Sequence, residues 1–194
     1  MLLLVNLIRE TMKQLVLTLI AAAIAAPAFA GNAYIGGSVG RAEQKLSVEG
    51  MSLSDTDTGA KIVGGYQVTP AVGVEAGYAV LGESKISGNG ASAGAEPKSF
   101  YLAVTGTMPL TPVVNGFVKL GAAHTKTTVF ASEPGFFFSS KEKDTSVLAG
   151  IGASFAINKQ MSVVAEYEHF GKILSEDGES LKADLLSVGV RFQF

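Results

Sequence analysis

The sequence contains no cysteine among its 194 residues. This absence excludes disulfide bonds, a thiol nucleophile and a thiolate metal site. The sequence also lacks a basic stripe, and its formal net charge is −2, so we do not expect nucleic acid as a partner. After residue 30, no segment is long and apolar enough for a helix to cross a bilayer. Insertion of this part into a membrane would therefore require strands, which satisfy their backbone hydrogen bonds in a closed barrel.

The amino terminus has the pattern of a secretory signal. Lys13 precedes an apolar run at residues 15–26, and residues 28–30 form an A-x-A cleavage motif. The run is shorter than the roughly 20 residues that a retained transmembrane helix needs. We therefore expect an amino-terminal extension and cleavable signal peptide at residues 1–30, followed by one domain at residues 31–194.

The last nine residues, 186–194, alternate apolar side chains with polar or small ones up to the carboxyl terminus. Side chains on a strand point alternately to opposite faces, so one face carries Leu186, Val188, Val190, Phe192 and Phe194. A soluble sandwich would bury this face in its core. A membrane barrel would turn it towards lipid and keep small and polar residues in the lumen.

The same alternation predicts seven further strands, at residues 33–43, 58–68, 72–81, 99–108, 116–127, 145–157 and 161–170. Their connections alternate in length. Those near Thr69, Pro109 and Asn158 are short, and the others, at 45–57, 82–97, 128–144 and 171–183, are long. Short periplasmic turns and long external loops are typical of outer-membrane barrels. The predicted fold is all-β, an eight-stranded antiparallel transmembrane up-and-down β-barrel; a soluble β-domain is the weaker alternative.

One hairpin carries a specific resemblance. Residues 65–78, G-Y-Q-V-T-P-A-V-G-V-E-A-G-Y, resemble the second hairpin of the OmpA-type transmembrane barrel family, which also includes the opacity-type proteins. Residues 34–40, 165–167 and 186–194 match less specifically. The resemblance implies the outer membrane of a Gram-negative bacterium, with membrane lipid, lipopolysaccharide and the barrel assembly machinery as partners. OmpA continues into a peptidoglycan-binding domain that this sequence does not contain, so we do not expect cell-wall binding.

Barrels of that family contain a charged interior cluster that has been proposed as a gate. The resemblance assigns its acidic member on the second hairpin to Glu75. The family's basic partner, second acid and arginine correspond to Thr105, Ser154 and Val164, so most of the gate is expected to be missing. Another inward pair, one basic and one acidic, corresponds to Lys119 and Glu166.

The inward register itself predicts a lumen charge network of three positive and three negative side chains. Its members are Lys61, Glu75, Lys119, Glu166, Glu168 and Arg191. Equal numbers favour mutual neutralisation, because an unpaired charge in a confined interior is costly. The network is either structural ion pairing or a polar path for water or small ions. A wide pore is not expected, since eight strands enclose little more than their own side chains.

Two histidines, His124 and His169, are predicted on the lipid-facing register near the external rim. Some outer-membrane barrels are lipid A deacylases or acyltransferases that use histidine and serine. The deacylases have a serine close after the histidine, whereas Phe170 and Gly171 follow His169. We therefore predict no catalytic, cofactor-binding or metal-binding residue, no cofactor and no enzymatic activity.

Two aromatic groups have predicted roles at the ends of the barrel. Phe136, Phe137 and Phe138 are expected in the third external loop, where they either cover the barrel mouth, enter lipid or form a binding surface for a host, phage or envelope partner. Val190, Phe192 and Phe194 resemble the carboxyl-terminal signal that the barrel assembly machinery reads. The predicted function is envelope structure and surface interaction through four external loops, in a monomer. The alternative is a narrow, porin-like channel for small solutes or ions.

Overall fold

The computed structural model describes residues 32–48, 51–88, 91–133, 136–176 and 179–194. The predicted extension and signal peptide lie outside the described residues. No helix in the described part is long and apolar enough to cross a membrane. The strands of this part are β1 (Ala33–Val48), β2 (Met51–Gln67), β3 (Val72–Val80), β4 (Ser84–Gly88), β5 (Ala91–Pro109), β6 (Val114–Glu133), β7 (Phe136–Ala156), β8 (Met161–Glu176) and β9 (Glu179–Gln193).

The strands form one antiparallel sheet that closes on itself. Neighbours follow the order β3-β2-β1-β9-β8-β7-β6-β5-β4, and β3 also pairs with β5, which closes the barrel. β3 and β4 are separated only by residues 81–83, and both pair with β5. They therefore fill one position in the wall. This arrangement confirms the predicted eight-stranded up-and-down barrel.

The two faces of the wall follow the predicted alternation. On β3, Glu75 and Gly77 are buried inside, whereas Val74 and Tyr78 face outwards. Apolar side chains form a continuous exposed surface around the outside of the barrel, which we call the apolar belt. A soluble monomer rarely exposes a patch of this size, whereas a transmembrane barrel presents such a band to lipid. The belt includes Val39, Ile62, Val74, Leu102, Leu120, Ile151 and Val188.

Three short turns join strands at the end of the barrel that holds the carboxyl terminus. They span residues 68–71, 110–113 and 157–160. In each turn a side-chain oxygen accepts hydrogen bonds from two backbone amides near the start of the next strand. The acceptors are Thr69, Thr111 and Asn158. Proline follows both threonines, and its restricted φ favours this turn position. The short connections are as predicted.

The opposite end differs from the prediction, because most residues of the four predicted long loops are paired as strands. β1 and β2 stay in register as far as Val48 and Met51, and β6 and β7 as far as Glu133 and Phe136. Residues 125–128 and 139–144 carry polar side chains on both faces, so in this hairpin the apolar–polar alternation ends although the pairing continues. The predicted loop position of residues 136–138 is therefore wrong for the backbone, which starts β7 there.

Beyond the apolar belt, the described wall separates into two sheets. β7 and β8 pair only from Ala149 and His169 to Ala156 and Ser162, and β2 pairs with β3 only from Ala60 onwards. The first sheet contains β2, β1, β9 and β8, and the second contains β4, β5, β6 and β7. Each sheet therefore consists of two hairpins joined side by side.

A glycine with positive φ lies at each separation, Gly82 at 77° and Gly171 at 65°. This conformation suits glycine because it has no Cβ, and it turns the chain away from the adjacent strand. One side-chain hydrogen bond then crosses each gap. The backbone amide of Glu83 donates to Asp57 Oδ2 at 2.7 Å, and Ser146 Oγ donates to the Phe170 carbonyl oxygen at 2.5 Å.

Inward glycines such as Gly121 and Gly189 lie too close to the neighbouring strand for any larger residue. A Cβ on Gly121 would lie 2.0 Å from the Leu102 carbonyl oxygen, and one on Gly189 would lie 2.1 Å from the Gly37 carbonyl oxygen. Both obstacles are backbone atoms, so a rotamer change cannot relieve the clash. A Cβ on the outward Gly64 would meet nothing closer than 4.0 Å.

We expect Gly121→Ala and Gly189→Ala to reduce the folded fraction strongly, because overpacking costs about 1–3 kcal/mol even where side chains can adjust. Gly64→Ala, the matched control, should fold like the wild type. The measurement is heat-modifiable migration on gels after refolding into detergent micelles. Normal folding of both inward variants would contradict the close strand approach.

Candidate functional site

Charged side chains from β2, β3, β6, β8 and β9 meet inside the barrel. Each occupies an inward position of its strand, and the side chain of Arg191 is the most exposed of them, at 19%. The other five side chains are 4% exposed or less. The structure thus brings together all six residues that were predicted for the lumen: Lys61, Glu75, Lys119, Glu166, Glu168 and Arg191.

Lys119 lies at the centre of this charge network. Its ammonium nitrogen is 2.5 Å from Glu75 Oε1, 2.6 Å from Glu166 Oε1 and 3.0 Å from Glu168 Oε1. Lys61 contacts the second oxygen of both β8 carboxylates, at 2.6 Å for Glu166 Oε2. Every buried carboxylate therefore has at least one cationic partner, which offsets the cost of removing it from water.

Glu75 links this cluster to two tyrosines and an arginine. The hydroxyl groups of Tyr34 and Tyr101 each donate a hydrogen bond to it, both at 2.8 Å. Arg191 Nη2 lies 3.4 Å from Glu75 Oε2. Hydrogen bonds to a charged acceptor are strong in a weakly polar interior. The carboxylate is consequently held by donors from four strands, β1, β5, β6 and β9.

Each large aromatic ring near the network lies directly across from a glycine on the neighbouring strand. A Cβ at any of these glycines would approach the ring to 2.5 Å or less. Glycine therefore provides the space that the ring occupies. The pairs are Tyr34 with Gly65, Tyr101 with Gly77, and Phe117 with Gly152.

The guanidinium of Arg191 lies on the short-turn side of the charge network. It lies 4.3 Å from the ring centroid of Tyr34 and 5.3 Å from that of Phe117. Contacts of this kind between a cation and aromatic faces are favourable, and more so when they are shielded from water. One side of the charge network is thus covered by a layer of stacked side chains.

The layer on the other side of the charge network is apolar and was not predicted from the sequence. Leu81, Leu148, Phe170 and Leu185 have no solvent exposure and belong to one buried cluster, which we call the apolar layer. The Tyr101 ring packs edge-on against Phe170, with centroids 6.2 Å apart, while its hydroxyl reaches Glu75. The expectation of a lumen lined only by small and polar residues is wrong at this level. Apolar residues at inward positions could have indicated this layer, for example Leu148 between Ser146 and Gly150.

The positions that correspond to the missing gate residues also lie in the lumen. Thr105, Ser154 and Val164 are buried, at 4%, 9% and 8% exposure. They carry no charge, so the compensating partners of Glu75 come from other positions. Lys119 and Arg191 fill that role.

A small cavity adjoins the network between β1, β2, β8 and β9. Its volume is about 20 Å³, and its lining includes Lys61 and Glu166. Three buried polar atoms at this cavity, Ser38 Oγ, Ser187 Oγ and Arg191 Nε, have no hydrogen-bond partner among the described residues. The space and the polar lining suit a single water molecule. A hydrated ion would not fit.

Both histidines face outwards just beyond the apolar belt. His124 Nδ1 lies 2.9 Å from Thr145 Oγ1, and His169 Nδ1 lies 2.6 Å from Asp184 Oδ1. Asp184 was not predicted from the sequence, because it lies opposite His169 on the neighbouring strand. Alternation along one strand does not identify partners on another. Among the described side chains, no hydrogen bond joins either histidine to a serine. The arrangement therefore provides no histidine-activated serine nucleophile in the described part.

The remaining predicted residues lie at the two ends of the barrel. Val190 and Phe192 point outwards on β9, and the rings of Phe192 and Phe194 pack edge-on with centroids 5.3 Å apart. Phe138 is exposed, at 52%, on β7. The side chains of Phe136 and Phe137 lie outside the described side chains.

Comparison with known proteins gives the family. The model for "Outer membrane protein beta-barrel domain" matches residues 15–194. Outer membrane protein A of Salmonella typhi is 30% identical over 145 residues, which cover 72% of this chain and 41% of that protein. The chain thus spans about two fifths of the length of the curated relatives it matches.

Solved structures share the fold at low sequence identity. Ail, the attachment invasion locus protein of Yersinia pestis, superposes with a TM-score of 0.57 at 20% identity over 83% of this chain and 99% of that chain. OprG of Pseudomonas aeruginosa gives 0.58 at 15% identity over 85% and 97%. Both are outer-membrane barrels. This chain belongs to the outer membrane protein β-barrel domain family and is a protein of the Gram-negative outer membrane.

Proposed function

We propose that this barrel serves envelope structure and surface interaction and is neither an enzyme nor an open pore. The observation that carries the proposal is the filled lumen. The Arg191 layer, the charge network and the apolar layer follow one another along the barrel axis. Solutes would have to displace all three. The paired hairpins beyond the belt remain as the surface available for contact outside the cell.

A narrow channel is the second candidate, and the small cavity beside Arg191 favours it. Two serine hydroxyls and the Arg191 side chain line this cavity. The cavity therefore offers a polar site beside the charge network. The apolar layer opposes the passage of ions, because an ion would lose its hydration there without gaining a polar partner. We therefore expect no large conductance from the wild type.

The charge network and the apolar layer can be tested together. Lys119→Met should lower the free energy of unfolding by about 3–5 kcal/mol, since it leaves buried carboxylates without their central partner. Lys119→Met with Glu75→Gln should recover part of this loss. Planar-bilayer recordings should show absent or small conductance for the wild type and for both variants, because the apolar layer still closes the lumen.

Lys159→Gln at an exposed short turn is the matched control and should leave both stability and conductance unchanged. Stable steps of porin size from the wild type would reject the closed-lumen proposal. Larger conductance in the double variant alone would instead assign the barrier to the charges.

The hairpins are the proposed contact surface for a host, phage or envelope partner. Phe138 supports this, because its exposed ring lies on the polar extension of β7, beyond the apolar belt. A contiguous exposed apolar patch marks an interaction site, whereas a single apolar side chain does not. We propose that residues 136–138 together form part of this surface.

Replacing residues 136–138 by serine should reduce adhesion of cells that display the protein, with little change in barrel heat stability. Lys141→Gln, at another exposed position of β7, serves as the control. The measurements are cell adhesion and heat-modifiable gel migration. Loss of heat stability without loss of adhesion would assign the three aromatics to packing instead.

We also propose that Val190, Phe192 and Phe194 form the signal for the barrel assembly machinery, and that residues 1–30 are an extension and signal peptide removed before assembly. Phe192 is exposed on the outer wall, and its ring packs edge-on against that of Phe194. The backbone amide of Phe194 donates to the Ala33 carbonyl oxygen at 3.0 Å, which joins the carboxyl terminus to the first strand.

Removal of Phe194 should lower the amount of protein assembled in cells several-fold, because the aromatic end of the signal is lost. The same variant should refold in detergent nearly as well as the wild type, since few packing contacts disappear. The two measurements are surface display and heat-modifiable migration. Unchanged surface display would contradict the role in assembly.

A further inference from the structure

Six of the twelve lysines form two rows across the outer wall. In the second sheet, Lys98 lies directly opposite Lys126, which lies directly opposite Lys143. In the first sheet, Lys45 is paired with Lys182, and Lys182 with Lys172. All six are exposed. Residues that are directly opposite on antiparallel strands point to the same face, so each row presents three ammonium groups side by side.

Both rows face outwards and lie just beyond the apolar belt. Lys98 is the next outward position after Phe100 of the belt, and Lys182 is the second after Leu186. At about 3.3 Å per residue along a strand, Lys98 lies about 7 Å and Lys182 about 13 Å beyond the belt. A lysine side chain can extend back over apolar surface with its ammonium group in the polar zone. The rows therefore lie within the layer of lipid headgroups.

The rows are not neutralised by the protein itself. Lys98 lies 3.5 Å from Glu96, and Lys45 lies 3.2 Å from Asp184 and 3.6 Å from Glu43. Asp184 is shared with His169. No described carboxylate forms an ion pair with the remaining four, which are Lys126, Lys143, Lys172 and Lys182.

Like charges directly opposite each other destabilise a sheet. Two such rows are therefore unfavourable unless an external anion compensates them. Their linear arrangement on a convex wall does not converge on a pocket, so it suits an extended anionic surface better than a small soluble anion. We propose that the two lysine rows bind the phosphate groups of lipid A in the outer leaflet.

The test uses the full barrel refolded in zwitterionic detergent. Lipid A with its phosphates and lipid A from which they have been removed are added separately, and the lipid retained per barrel is measured by native mass spectrometry. The wild type should retain the phosphorylated form and lose it as salt is raised. It should retain much less of the dephosphorylated form.

Two triple variants test the residues, K98Q/K126Q/K143Q and K45Q/K172Q/K182Q. Each should weaken binding of phosphorylated lipid A to its own row at low salt on the order of 100-fold, because one lysine near an anionic lipid surface contributes about five-fold. The barrel should then retain only the lipid that the other row binds. The corresponding lysine-to-arginine triples keep the charge and should retain the lipid. K141Q/K159Q removes two exposed lysines outside the rows and is the matched control.

Without lipid A, K98Q/K126Q/K143Q should unfold at the same temperature as the wild type or higher, because the repulsion within its row is gone. K45Q/K172Q/K182Q also loses the ion pair between Lys45 and Asp184, so it should unfold near the wild-type temperature. This measurement also shows whether the variants are folded. Equal retention of phosphorylated and dephosphorylated lipid A by the wild type would overturn the proposal. Undiminished retention by both folded glutamine triples would overturn it as well.

Discussion

The narrow lumen constrains the rest of this structure. Eight strands enclose little more space than their inward side chains occupy, so each inward position has to match its neighbours in size and charge. Size is matched where an aromatic ring lies across from a glycine, as Tyr101 does from Gly77. Charge is matched because three cations and three carboxylates share contacts around Lys119. The interior of the barrel therefore resembles a protein core with an ionic centre.

Side chains on the outer wall do not have to match their neighbours in size, because they face lipid instead of another part of the protein. Apolar side chains such as Leu102 and Ile151 remain exposed on it, and polar side chains begin abruptly at His124, His169 and Asp184. The change of side-chain chemistry along each strand thus defines the upper limit of the membrane-embedded wall. Beyond this limit polar side chains such as Lys98, Lys126 and Lys182 lie on the outer face, although Leu181 is still buried inside.

Alternation was enough to predict the barrel and the inward face of each strand, because a period of two assigns every side chain in a strand to one face. It predicted no strand where the two faces do not differ in polarity, as at residues 139–144, and such hairpin extensions were expected to be loops. Leu148 and Phe170 are apolar although they point inwards, and the composition of the lumen gave no reason to expect them. Asp184 approaches His169 across the strand pair, a contact that the reading along one strand did not identify.

The separation of the wall into two sheets makes the external surface modular. The first and last hairpins of the chain share one sheet, and the two middle hairpins share the other. A change in the length of one hairpin alters the edge on which its partner is built, whereas the opposite pair is attached only through the barrel. We therefore expect changes of hairpin length to be coupled within each pair and independent between pairs. Antigenic variants or grafted epitopes would accordingly have to be exchanged two hairpins at a time.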